Sequence, residues 1–112
     1  MKLSSEIKDG YAIVSIFEDI DFYNSEELEE ELKKLLGKHN GLVISLKNVR
    51  YIDSSGLGIL TGILRAAKEA GKKLILSELS HDVKNVFELT RLIDFFKIFE
   101  DTQEAIAALT GN

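Results

Sequence analysis

Strand-length apolar runs and amphipathic helical stretches take turns along this chain of 112 residues. Leu3–Lys8 and Tyr11–Phe17 read as two strands joined by Asp9-Gly10, which favours a tight hairpin turn because glycine accepts positive φ. Glu18–Tyr23 reads as a loop. Asn24 with Glu27 then matches a capping box. The helix it opens carries Leu28, Leu32, Leu35 and Leu36 on one stripe, and Gly37 is placed to end it. Leu42–Leu46 is nearly all apolar, as strands are when a sheet is covered on both faces. The loop Lys47–Ile52 leads to a helix over about Ser55–Ala70, stopped by Gly71. Its apolar residues make two stripes, one of Leu57, Leu60 and Leu64, the other of Ile59, Ile63, Ala66 and Ala70. A helix apolar over that much of its surface is deeply packed or touches a partner. Lys73–Ser77 is strand-like, and Ser80 or Asp82 is placed to cap a third helix with Val83, Val86, Phe87 and Thr90. Leu92–Phe96 fits neither class, Lys97–Phe99 reads as a short strand, and Asp101 with Glu104 opens a last helix with Ala105, Ile106, Ala108 and Leu109 inward.

The resulting order predicts an α/β fold: a compact, mixed and mostly parallel sheet with right-handed crossovers, an N-terminal hairpin and about four helices. No repeat, linker or low-complexity stretch interrupts it, so residues 1–112 are expected to form a single domain. With 45% hydrophobic residues, a chain of this length buries roughly two-thirds of its unfolded surface, and it has no Cys for disulfide or thiolate chemistry.

Charge narrows the function. The net charge is −5, and phosphate neutralisation needs a concentrated basic surface, so general nucleic-acid binding is not expected. The acid is uneven: eight acidic residues and two lysines lie between Glu18 and Lys34, a local charge of −6 that leaves the remainder at +1. Such a patch suits either a solvated helix face or a basic protein partner. No apolar run approaches the ~20 residues of a membrane span and no targeting segment is visible, so a cytoplasmic protein without direct membrane contact is expected.

Catalytic signatures are sparse. His39 and His81 are far apart and lack neighbours with metal-ligand spacing. No phosphate-binding Gly-rich loop ending in Lys-Ser/Thr is present, Ser55-Gly56-Leu57-Gly58 is not a nucleophile elbow, and Gly56, Gly58 and Gly62 are misplaced for a dinucleotide fingerprint. Neither an enzyme active site nor a metal or cofactor is expected. The segment that stands out is Tyr51-Ile52-Asp53-Ser54-Ser55-Gly56-Leu57-Gly58-Ile59-Leu60, in which Asp53, Ser54, Ser55 and Gly56 sit between a strand-like loop and a helix start. Asp and Ser there can be a simple N-cap. The same helix end has free N–H groups and partial positive charge, so an exposed serine hydroxyl there also suits a phosphoryl group.

Asp53-Ser54-Ser55-Gly56-Leu57-Gly58 resembles the phosphorylation loop of STAS domains, in particular bacterial anti-sigma factor antagonists. The resemblance covers nearly the whole chain: the hairpin, Ile20-Asp21 before an acidic helix, Leu42–Leu46, Gly71-Lys72-Lys73-Leu74-Ile75-Leu76, Val86-Phe87-Glu88-Leu89-Thr90, and Phe99-Glu100-Asp101-Thr102 with Glu104-Ala105 follow in the family's order. It implies a single STAS-like domain that binds an anti-sigma factor acting also as a serine kinase. Ser54 would be the phosphorylated serine, and a serine phosphatase of the same pathway would reset it. Asp21, Asp53, Ser54, Ser55, Gly56, Leu57, Gly58 and Thr61 would form the partner-binding surface, with Asp53 positioning the loop. The alternatives are a non-switching STAS scaffold subunit, of the stressosome or lipid ABC transporter type, or an engineered STAS fold without a retained partner. The chain departs from the family pattern at Glu18 and Arg91, where glycine is usual, and at His81, where proline is frequent.

Overall fold

A computed structural model describes residues 1–111. Five strands form one sheet in sequential order: β1 (Leu3–Lys8), β2 (Tyr11–Ile16), β3 (Gly41–Ser45), β4 (Lys73–Ser77) and β5 (Lys97–Phe99). The β1–β2 pair is antiparallel, with Leu3 opposite Ile16 and Lys8 opposite Tyr11; the other pairs are parallel. The hairpin turn has positive φ at both central residues, 51° at Asp9 and 86° at Gly10, which matches the twist of the flanking strands. Four α-helices complete the chain: α1 (Ser25–Lys38), α2 (Ser54–Glu69), α3 (His81–Leu89) and α4 (Thr102–Thr110), with a short 3₁₀ turn at Leu92–Asp94. This is the mixed α/β architecture expected from the alternation.

Successive strand residues point to opposite faces. Ala12, Val14, Ile16, Leu42, Ile44, Leu74 and Leu76 meet α1, α2 and α3 in the larger core, through Leu28, Leu32, Leu60, Ile63, Val83 and Phe87 among others. Ile13, Val43 and Ile75 face the other way and pack on Ala105 and Ile106 of α4. β3 is buried along its whole length, as its apolar run predicted. None of the helices, among the described residues, is long and apolar enough to cross a membrane.

Several local readings give way to tertiary contacts. Asn24 stands at the N-cap position of α1 but makes no capping bond; its carboxamide is spent on Asp21, Glu18 and Asp19. Gly37 does not end α1, which continues to Lys38, and the Leu36 carbonyl in its last turn accepts from Lys72 Nζ at 2.7 Å. The Ser80 hydroxyl donates to the Val49 carbonyl at 2.7 Å instead of capping α3. Thr90 lies just past the end of α3 and is exposed, Ala108 of α4 is exposed, and Ala70 lies beyond the end of α2. Leu92–Phe96 resolves into the 3₁₀ turn followed by Phe96, which is buried edge-on against Phe87.

Candidate functional site

Because β2 and β3 run parallel, the loops that leave them emerge at the same end of the sheet. The two loops are stitched together. Ile20 and Ile52 form a parallel bridge, with Ile20 N–H donating to the Tyr51 carbonyl at 3.0 Å and Asp53 N–H donating to the Ile20 carbonyl at 3.1 Å. Asp53 then caps α2: one carboxylate oxygen accepts from Gly56 N–H and the other from Phe22 N–H, each at 3.0 Å. A single carboxylate thus fixes both the helix start and the neighbouring loop.

The other acidic residues here also brace backbone. Asp19 accepts from the amides of Arg50 and Tyr51 at 3.1 and 3.2 Å. Asp21 accepts from the amides of Tyr23 and Asn24 at 2.9 and 3.3 Å, closing the turn that enters α1. Glu18 accepts from the Lys2 amide and from the Asn24 side chain. The Lys2 amide is the main reason its carboxyl lies below the usual range; partial burial opposes the shift and Asn24 adds to it.

Ser54 is the first residue of α2, one position earlier than the pattern suggested, and its side chain is exposed. Its hydroxyl has no hydrogen-bond partner among the described residues, so none of their groups is placed to take its proton. Ser55 is half-buried and Gly58 exposed beside it. Thr61 is half-buried, its hydroxyl donating back to the Leu57 carbonyl at 2.8 Å. Gly56 and Leu57 are different: both are buried, so they support the surface from beneath. A Cβ on Gly56 would lie 2.6 Å from Ile20 and 2.7 Å from Ile52, so only glycine lets α2 start this close to the loop bridge. Among the described residues, no cluster of three or more His, Asp or Glu is arranged to hold a metal ion.

The apolar part of this surface escaped the sequence reading. Phe22, Tyr23 and Tyr51 are 71%, 92% and 55% exposed, and the first two rings meet edge-to-face at 5.8 Å. Three large aromatics left in water beside an exposed serine are the composition of a protein contact. Their signal in the sequence is only negative: all three sit in loop segments, Phe22 and Tyr23 among acidic residues and Tyr51 beside Arg50, outside any helix or strand period.

The sequence model of the STAS domain matches residues 2–105. The chain belongs to the STAS family. The anti-sigma-B factor antagonist of Staphylococcus aureus (strain NCTC 8325 / PS 47) is 30% identical over 106 residues, covering 92% of this chain and 96% of that protein. The anti-sigma-B factor antagonist of Bacillus subtilis (strain 168) is 38% identical over 85 residues, covering 76% and 78%. Among solved structures, the unphosphorylated form of the anti-sigma factor antagonist SpoIIAA shares the STAS fold with a TM-score of 0.84 at 19% identity, covering 99% of this chain and 98% of that one. The phosphorylated form of SpoIIAA from Bacillus superposes with a TM-score of 0.76, at 19% identity and 96% and 99% coverage.

Proposed function

We propose that this STAS domain is an anti-sigma factor antagonist that works by partner switching. The unmodified loop face, made of Asp21, Asp53, Ser54, Ser55, Gly58, Thr61 and the exposed aromatics, binds an anti-sigma factor that is also an ATP-dependent serine kinase. The kinase removes the Ser54 hydroxyl proton and transfers the γ-phosphoryl group of ATP to the oxygen, releasing ADP. The modified face then lets go, and a serine phosphatase hydrolyses the ester. The relatives named as anti-sigma-B factor antagonists support the role. The observation that carries the residue assignment is the exposed, unpartnered Ser54 hydroxyl at the start of α2, held by braced loops.

The electrostatics favour release. Phosphorylation adds about −1.5 to −2 charges. A carboxylate of the partner about 6 Å away in the complex, at an effective dielectric of about 40, repels that charge by roughly 2–3 kcal/mol. At ~1.4 kcal/mol per decade, this weakens a complex roughly 30- to 150-fold. The dipole of α2 favours the phosphate by ~0.3–1 kcal/mol in the free protein, so the modified domain stays folded.

The test is incubation with ATP and anti-sigma kinases, followed by fragmentation of the tryptic peptide Tyr51–Arg65, which contains Ser54, Ser55 and Thr61. Phosphate on Ser54, no labelling of Ser54→Ala, and loss of kinase binding by Ser54→Asp are expected. Labelling of Ser54→Ala at the wild-type rate would sink the assignment.

A further inference from the structure

The opposite end of the sheet has the opposite charge. Where β4 and β5 begin, Lys68, Lys72, Lys73 and Lys97 line one recess of about 290 Å³ whose walls include Leu64 and Phe95 and contain no acidic side chain. A second recess of about 230 Å³ adjoins it through Leu64, Lys68 and Phe95 and adds Arg65 and Glu69. The lysines converge from separate elements: Lys68 from the last turn of α2, Lys73 from the first position of β4 and Lys97 from the first position of β5. Lys72 donates to the Leu36 carbonyl at 2.7 Å; the ammonium groups of the other three have neither a hydrogen bond nor an ion pair among the described residues.

A structural role accounts for only part of this charge. Each helix C-terminus carries about −0.5 charge, so α2 and α4, which end nearby, supply about −1 against four ammonium groups. Solubility does not call for the surplus either, in a chain whose net charge is −5. Phe95, 62% exposed at the junction of the two recesses, adds an unpartnered ring.

We propose that this recess binds a soluble, compact polyanion: a small molecule with two or three adjacent phosphate groups and a flat apolar remainder that lies on Phe95. The volume is at the scale of small-ligand sites, and the ammonium groups line a recess instead of a flat face, which favours a dissolved ligand over a membrane surface. The site is separate from Ser54. Lys68 is fourteen residues further along α2, about 21 Å at 1.5 Å per residue. The assignment therefore stands or falls independently of the phosphorylation cycle.

Titration of the isotope-labelled full chain with inorganic tripolyphosphate, at low ionic strength, tests it. Saturable binding is expected, with amide shifts at Lys73, Phe95 and Lys97 and none at Phe22 or Tyr23. The triple variant Lys68→Gln, Lys73→Gln, Lys97→Gln should bind at least about tenfold more weakly, while Lys33→Gln, Lys34→Gln, Lys38→Gln, with the same change in net charge, should lose less than about twofold. ADP should bind more tightly than pyrophosphate, and Phe95→Ala should erase that advantage. Shift mapping on the wild-type chain decides the location even where a triple variant folds poorly. The proposal is overturned by non-saturable binding, by shifts centred on the Ser54 end, by equal losses in the two triple variants, or by binding to phosphatidylglycerol vesicles with none to tripolyphosphate. An ADP affinity no better than that of pyrophosphate overturns the role of Phe95.

Discussion

Gly56 and Gly58 lie two residues apart in α2, and replacing each by alanine should have opposite effects. On Gly56 the new methyl would sit 2.6 Å from Ile20 Cγ2 and 2.7 Å from Ile52 Cγ1. Carbon atoms in contact prefer about 3.5–4.0 Å, so both neighbours must retreat by about an ångström. Neither can swing into solvent, since Ile20 is 0% and Ile52 2% exposed. Overpacking of this kind costs about 1–3 kcal/mol. The gain in helix propensity, at most ~1 kcal/mol and smaller this near the N-terminus, offsets part of it. A net loss of about 1–2 kcal/mol is expected for Gly56→Ala. At Gly58 a Cβ meets nothing within 4 Å, and alanine should stabilise by about 0.5–1 kcal/mol. Urea unfolding of both variants, with matched slopes, measures the difference directly. In thermal unfolding the two midpoints should differ by roughly 6–12 °C, at about 4 °C per kcal/mol. Gly56→Ala should also shift the amide resonances of Phe22 and Tyr23, because Ile20 carries their loop. Equal stability of the two variants, or a more stable Gly56→Ala, would refute the packing argument.

Three further outcomes follow from other positions. Asp53→Ala removes the cap of α2 and the tie to Phe22, so it should cost about 2–3 kcal/mol in urea unfolding, and a loss below ~0.5 kcal/mol would contradict the double role. Arg91 has φ +63° in the left-handed region, so Arg91→Gly should stabilise by about 0.5–1 kcal/mol relative to Arg91→Ala; the reverse order would show that the Arg91 backbone is not strained. The folded-state pKa of Glu18 is depressed, so its contribution is present above the unfolded carboxyl pKa and is lost as pH falls through the folded value. Glu18→Gln should therefore lower the urea midpoint at pH 7 and leave it little changed at pH 2, whereas a uniform offset at both would place the effect in packing.

How far the sequence could be read depended on how local the deciding contact was. Asp9-Gly10 announced the hairpin because the turn is settled by those two backbones alone. Asp53 announced the start of α2 because its acceptor reaches an amide only three residues ahead. Asn24 offers the same local signal, yet Glu18 and Asp19 lie within reach and occupy its carboxamide. Gly37 looked like a terminator, but α1 runs one residue past it, and the Leu36 carbonyl in its last turn is served by Lys72, far along the chain. The candidate site divides in the same way. Ser54 was legible as an exposed hydroxyl at a helix start. That Gly56 and Leu57 face inward depends on the Ile20–Ile52 bridge, and the prominence of Phe22, Tyr23 and Tyr51 depends on loops crossing between β2 and β3. Neither is encoded in any short window.

The sequential strand order has a consequence for assembly in time. Each strand pairs with the one made just before it, and α1, α2 and α3 cover one face of the sheet as it grows. The other face waits: Ile13, Val43 and Ile75 remain bare until α4 is made and docks Ala105 and Ile106 against them. A ribosome-bound chain that has completed β4 but not α4 thus presents a water-facing apolar row spanning three neighbouring strands, a period in which a holding chaperone or a wrong neighbour can compete with the native helix.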